Sequence, residues 1–318
     1  MFKALIKFSV IPAVLAAASL AQAAQLSTDA RSAIPHDVQQ LVVIDYRAMQ
    51  NSNAAMQLRD QVMPPELKQF ETALQKSGLN DNHDVDSLAF ALFRTGTSSD
   101  NMDTVGIAEG QFDVQDIMAN FRKERVKPTV LRTNHIYPMG RSGMMLCFVD
   151  PSTMIFGGND AVKRALDARD GYAPSMLTNN PMMSAMRTVD SEDLWSILDA
   201  KGTQTMMREV LGQAGSVTDF DTVKKRLQQS WYSMDFEHGV HFNLTIVTGD
   251  TFTAATMSSL LTAAILVRKM SSTDAEKAAL NDTTVTSSSG QLAINFAASD
   301  TEFLSLLQSP LFRSMVHN

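Results

Sequence analysis

The chain predicts an α+β fold made of two related halves, each a mixed or antiparallel sheet with helices packed on one face, after a cleaved leader. Three observations lead there. Short apolar runs are joined by tight turns such as Asp150-Pro151-Ser152 and Ser289-Gly290, which suit hairpins rather than long crossovers. Stretches with apolar residues at helical spacing separate them. The order of these pieces occurs twice.

The leader comes first. Met1 to Lys7 carry Lys3 and Lys7 and no acid, Phe8 to Leu20 is an apolar run of 13 residues, and Ala21-Gln22-Ala23 has small residues at both ends. That order is a secretory signal peptide, cut between Ala23 and Ala24. A spanning helix needs ~20 apolar residues, so residues 1–23 are not expected to be a stable membrane anchor. With the leader removed, 25 Lys and Arg face 34 acids, a net charge of −9. An acidic surface argues against nucleic acid and against electrostatic docking on anionic lipid. With 44% apolar and 19% charged residues the chain buries a core and is not a disordered composition. The length suggests two domains, 24–175 and 176–318.

Leu41 to Tyr46 is the first expected strand. Ser52 caps a helix through Met63, Pro64-Pro65 interrupts it, and a second helix runs from Pro65 to Ser77 with Gly78 as its stop. Strands follow at Ser87–Arg94 and Thr104–Phe112. Asp113 caps a helix carrying Val114, Ile117, Met118 and Phe121 on one side. Thr129–Tyr137, Met144–Val149 and Thr153–Phe156 are strands, and Asn159 or Asp160 caps a helix through Leu166. Asn180 caps another, with Pro181 at its first position. In the second half, Leu194–Leu198 is a strand, and Thr203–Leu211 and Val223–Gln229 are helices. Trp231–Phe236 and His241–Thr248 form a hairpin about Glu237-His238-Gly239. Asp250 precedes a long helix from Phe252 to Met270. Thr284–Ser288 and Gln291–Ala297 form a last hairpin, and Asp300 caps the last helix. Laid side by side, Gly110 matches Gly249 and Gly143 matches Gly290.

Few residues suggest chemistry. His238 and His241 beside Glu237 could be a metal pair, but their spacing is not the H-E-x-x-H of a zinc helix. Asn80 to Asp86 begins like a calcium loop, yet Val85 stands where glycine is needed and Ala91 where glutamate is needed. Gly157-Gly158 lacks the companions of a phosphate loop. No G-x-S-x-G or S-x-x-K is present. Cys147, the only cysteine, sits in an apolar run and is expected in the core. Methionine is abundant at 20 residues, and Met182 and Met186 fall on one helical face. Gap-filling in the core is their first expectation, lining an apolar groove the second, and holding Cu(I) the third.

Ala33 to Tyr46 leads through a proline–acid step into a strand, and Phe148-Val-Asp-Pro-Ser-Thr-Met-Ile-Phe-Gly157 is a compact hairpin. With the leader, these stretches make the chain resemble a group of exported bacterial envelope proteins of unknown function. The resemblance implies an envelope location and no activity.

These observations together predict an exported protein, periplasmic or secreted, that is a binding or interaction protein and not an enzyme. Its expected partner is an envelope protein or a small apolar ligand held between the halves, and no cofactor is expected. A hydrolase whose residues meet only in the fold is the alternative, and a Cu(I)-handling protein is another.

Overall fold

A computed structural model describes residues 25–63, 65–95, 102–139, 143–211, 220–310 and 312. The expected leader, with Ala23 and Ala24 at its cleavage point, lies outside the described residues. Among the described residues there are twelve strands: β1 (Val38–Asp45), β2 (Val85–Arg94), β3 (Met102–Gly110), β4 (Thr129–Leu131), β5 (Asn134–Met139), β6 (Met144–Asp150), β7 (Thr153–Gly157), β8 (Leu194–Leu198), β9 (Leu227–Asp235), β10 (Val240–Thr248), β11 (Thr283–Ser288) and β12 (Gln291–Ala298). Helices α1 (Thr28–Ser32), α2 (Tyr46–Gln50), α3 (Asn53–Val62), α4 (Pro65–Lys76), α5 (Asp81–Asp84), α6 (Val114–Lys123), α7 (Asn159–Arg169) and α8 (Asn180–Met186) belong to the first two-thirds of the chain. Then come α9 (Ala200–Leu211), α10 (Phe220–Lys224), α11 (Thr251–Ser271), α12 (Asp274–Asn281) and α13 (Asp300–Leu307). The fold is α+β.

All twelve strands lie in one antiparallel sheet, in the order β11-β12-β10-β9-β8-β1-β2-β3-β7-β6-β5-β4. The expected two sheets are therefore one, joined where β1 pairs with β8 from Gln40↔Leu198 to Ile44↔Leu194. That pair is a seam. Reading outward from it, one side is β1-β2-β3-β7-β6 and the other is β8-β9-β10-β12-β11. Each side has helices after its first strand, a helix after its third, and then a hairpin whose second strand returns to the third. The recurrence read in the sequence is thus a recurrence of strand order about the seam. Gly110 closes β3 and Gly249 follows β10, so these two occupy equivalent places. Gly143 and Gly290 do not. Gly290 turns β11 into β12, and the equivalent turn is Pro151-Ser152 between β6 and β7. The extra β4–β5 hairpin displaced the match, because both glycines have positive φ, +75° and +78°, and so look alike as turn residues.

Helices cover both faces of the sheet, where one face was expected. The reason is that the central strands are apolar on both sides. Alternate residues of β7 show it: Ile155 belongs to the apolar cluster that runs on to Leu41, Val43, Trp195 and Ile197, whereas Met154 and Phe156 belong to that of Phe70 and Phe121. Helices α1, α7 and α8 close the first face. Helices α4 and α6 close the second beside β3 and β7, α9 and α11 close it beside β10 and β12, and α3 and α13 sit against Phe236 and Val240. Each fully buried side chain of this kind contributes about 1.5–3 kcal/mol.

Local differences from the expected elements have local causes. Thr129–Tyr137 is two strands, because Arg132 turns the chain with φ +57° and anchors its guanidinium on Asp167 and Asp170. The helix expected to end at Leu166 runs on to Arg169 and starts after Gly158, which makes no side-chain cap bond. The caps of α8 and α13 are Asn179 and Ser299, one residue before those expected. Both α12 and α13 begin with capping boxes, Thr273 with Glu276 and Ser299 with Glu302. Helix α10 ends at Lys224, so Leu227–Gln229 are strand rather than helix. The short α2 was not anticipated; Asp45 accepts the Ala48 N–H at its start, at 2.7 Å.

Candidate binding surface

The most unusual surface belongs to α11. Its start is fixed by Asp250, whose carboxylate accepts the Thr253 N–H at 2.8 Å and the Thr253 hydroxyl at 2.9 Å. Arg226 adds a bond of 2.7 Å to the same group. The Thr253 N–H first, then the Arg226 guanidinium, hold this carboxyl down at about 2. One side of the helix, including Ala254, Met257 and Leu261, packs on Leu244, Ile246, Leu292 and Ile294 of the sheet. The other side faces solvent with Phe252 (77% exposed), Ala263, Leu266, Val267 and Met270 (87% exposed). Positions 263, 266, 267 and 270 follow the i, i+3, i+4, i+7 spacing, so they form one stripe. Arg268 and Lys269 end the helix, where cations suit the dipole.

This helix is long and apolar enough to cross a membrane by length and composition, yet only 22% of its most apolar stretch is buried. A core helix of a soluble domain buries most of its length, so the surface needs another account. Sequence reasoning found the helix but not the stripe. The signal was available in the spacing of Ala263, Leu266, Val267 and Met270; which side of the helix the sheet would take was not.

The residues singled out earlier lie elsewhere. Met182 and Met186 are buried in the core beside Ala185 and Val189, not along a groove, because α8 packs flat on the sheet. The Met182 sulfur meets the Gln229 amide at 3.9 Å. His238 is exposed in the β9–β10 turn, and His241 Nδ1 lies 3.8 Å from Asp235. Among the described residues there is no group of three or more His, Cys, Asp or Glu that could hold a metal ion. Cys147 is buried, and burial pushes its thiol up to about 11. His36 Nδ1 lies 2.9 Å from the Thr178 hydroxyl, but this pair is exposed and that hydroxyl donates to the Ser175 carbonyl. An apolar cavity of about 70 Å³ lies under α3 and α4, bordered by Tyr46, Phe70, Leu88, Phe90 and Phe156. Arg59 pairs with Glu71 at its edge and stacks on the Tyr46 ring at 5.2 Å. Ligand pockets usually measure ~300–1,000 Å³, so this one is a packing gap.

No family model and no curated protein matches the chain. Solved structures do. Crystal form I of TP0453 superposes with a TM-score of 0.52 at 9% identity, covering 87% of this chain and 95% of that one. Crystal form III gives 0.52 at 8% identity, covering 87% and 96%. At such identity the likeness is one of fold.

Proposed function

We propose that this is a non-enzymatic binding protein of the bacterial cell envelope, seated on the interfacial region of a membrane through the outer stripe of α11. The stripe carries the reading. A helix held on one side by a sheet, with Phe252, Leu266, Val267 and Met270 outward, has the form of a helix that lies in an interface. Spanning is disfavoured, because it would strip Met257 and Leu261 from the core that buries them. The envelope location is supported by the leader in the sequence. Net charge is negative, so apolar contact and not charge must supply the attachment.

Flotation with phosphatidylcholine vesicles tests it. The chain from Ala24 should float with the vesicles and stay bound as salt is raised. Replacing Leu266, Val267 and Met270 by Ser should lower the bound fraction at least tenfold, since each buried side chain is worth about 1.5–3 kcal/mol. Recovery of the unmodified chain entirely in the soluble fraction refutes the membrane seat.

A further inference from the structure

We infer that the cleft across the β1–β8 seam is an anion site for a phosphate ester group. It is a cleft of about 380 Å³ on the face that carries α9, with Gln39, Arg94 and Met102 on one side of the seam and Lys201, Gln204, Thr205 and Arg208 on the other. Positions 201, 204, 205 and 208 are the i, i+3, i+4, i+7 stripe of α9. The opposite stripe, Thr203, Met207 and Leu211, is buried, so the sheet contact of α9 dictates that its polar stripe faces the cleft.

Several arginines outside the cleft are paired with acids. Arg47, Arg59, Arg132, Arg164, Arg169 and Arg226 each meet a carboxylate. Among the described residues neither Lys201 nor Arg208 has an ion pair, and Arg94 has none with a carboxylate. Arg94 is instead positioned by a neutral group: its Nε donates to Gln39 Oε1 at 2.6 Å, and its carbonyl accepts from Arg164 at 2.6 Å. Arg164 itself binds Asp37, which takes that acid out of play. Asp199, two residues before Lys201, accepts from the N–H groups of Gly202 and Lys201 at 2.7 and 3.0 Å, and its charge also acts on Arg94 and Lys201; it does not line the cleft. Three cations thus face one concavity in a chain with net charge −7.

Phosphate fits better than carboxylate. A carboxylate offers two oxygens and is satisfied by one Arg fork. A phosphate ester offers more acceptor oxygens and up to two charges, which three separate cations and the Gln204 and Thr205 side chains can share. The volume leaves room for part of the ester's substituent. Free phosphate compounds and phospholipid headgroups share this chemistry. The site is independent of the α11 stripe.

Two probes separate the sources, each used on the chain from Ala24: titration with inorganic phosphate, and flotation with phosphatidylcholine vesicles with and without phosphatidic acid. Lys201→Gln and Arg208→Gln should each weaken the anion-dependent binding about tenfold, the usual effect of losing one charge-assisted bond. Lys123→Gln on α6, outside the cleft, should leave it unchanged. The Leu266, Val267 and Met270 triple variant should bind inorganic phosphate as the parent does, even if it no longer floats. Loss of phosphate binding in the cleft variants supports a site for soluble phosphate compounds. Loss only of the phosphatidic acid increment supports a headgroup site. Binding of neither probe, or binding that Lys201→Gln and Arg208→Gln leave intact in folded protein, overturns the proposal.

Discussion

Gly110 and Gly249 occupy equivalent places in the two strand sets, yet they should answer to alanine differently. At Gly110 a Cβ would lie 1.9 Å from the Asp84 carbonyl oxygen, 2.9 Å from its carbon and 3.0 Å from the Val85 Cα. All three are backbone atoms, so no side chain can rotate away. The same segment is tied by Gln111 N–H to Asp84 O at 2.8 Å and by Gly110 N–H to Ser152 O at 3.0 Å, next to the register shift between Val85 and Ser87. Relief therefore requires β2 and β3 to part. Overpacking of this kind costs about 1–3 kcal/mol, and the rigid partner puts Gly110→Ala at about 3. In a chain of this size each kcal/mol lowers Tm by about 2–4 °C, so the expected drop is about 6–12 °C. At Gly249 a Cβ meets nothing nearer than 3.7 Å, which is ordinary contact, and Gly249→Ala should be within ~0.5 kcal/mol of the parent. Urea titration with thermal melts of both variants measures the difference. Equal effects of the two substitutions, or a neutral Gly110→Ala, would refute the reasoning that close approach and not turn geometry demands glycine at the end of β3.

Asp250 gives a pH prediction with a definite sign. Its carboxyl titrates at about 2 in the folded chain, below the ~3.9 of an unfolded one, so the ionised form stabilises the native state. That contribution is complete above pH ~4 and is lost as pH falls through about 2. The urea midpoint of Asp250→Ala should therefore lie below the parent at neutral pH, and the gap should close in acid; a gap independent of pH argues against a role for the charge. Cys147 should resist maleimide at pH 8, where a thiol of about 11 is only about a thousandth ionised and its sulfur is buried, and should react once urea unfolds the chain. Rapid labelling of the native protein contradicts that burial.

What the sequence made legible was local. Strand β10 and its alternation of Phe242, Leu244 and Ile246, the cap at Ser52, the stop at Gly78 and the turn at Ser289-Gly290 all depend on residues close in the chain. Such signals are short-ranged by nature. The capping box of α13 was missed by one residue, with Asp300 read as the cap, although the Ser299 hydroxyl makes the bond and Glu302 returns it, and the helix of the Thr273 box was not expected. The candidate surfaces were less legible. An apolar residue on α11 is core or surface according to which side meets β10 and β12, and only the fold decides that. The cations of the seam cleft are remoter still: Arg94 and Arg208 are brought to one cleft by the pairing of β1 with β8.

That pairing also explains why one sheet forms where two were expected. Both β1 and β8 are apolar toward the first face, Leu41 and Val43 against Ile197 and Trp195, and Trp195 is fully buried. A free edge on either strand would leave a row of unpaired N–H and C=O groups beside exposed aliphatic side chains. Pairing the two edges satisfies both rows at once and continues one core across the seam, so the two strand sets share their largest apolar cluster. The outer strands of β8–β12 carry Thr and Asn on that same face, Asn243, Thr245, Thr286 and Asn295, so the cluster ends there and no helix is needed to cover them. Helix α8 covers the first face only at β8 and β9, while α9, α11 and α13 take the other face, and the second side of α11 is apolar and uncovered.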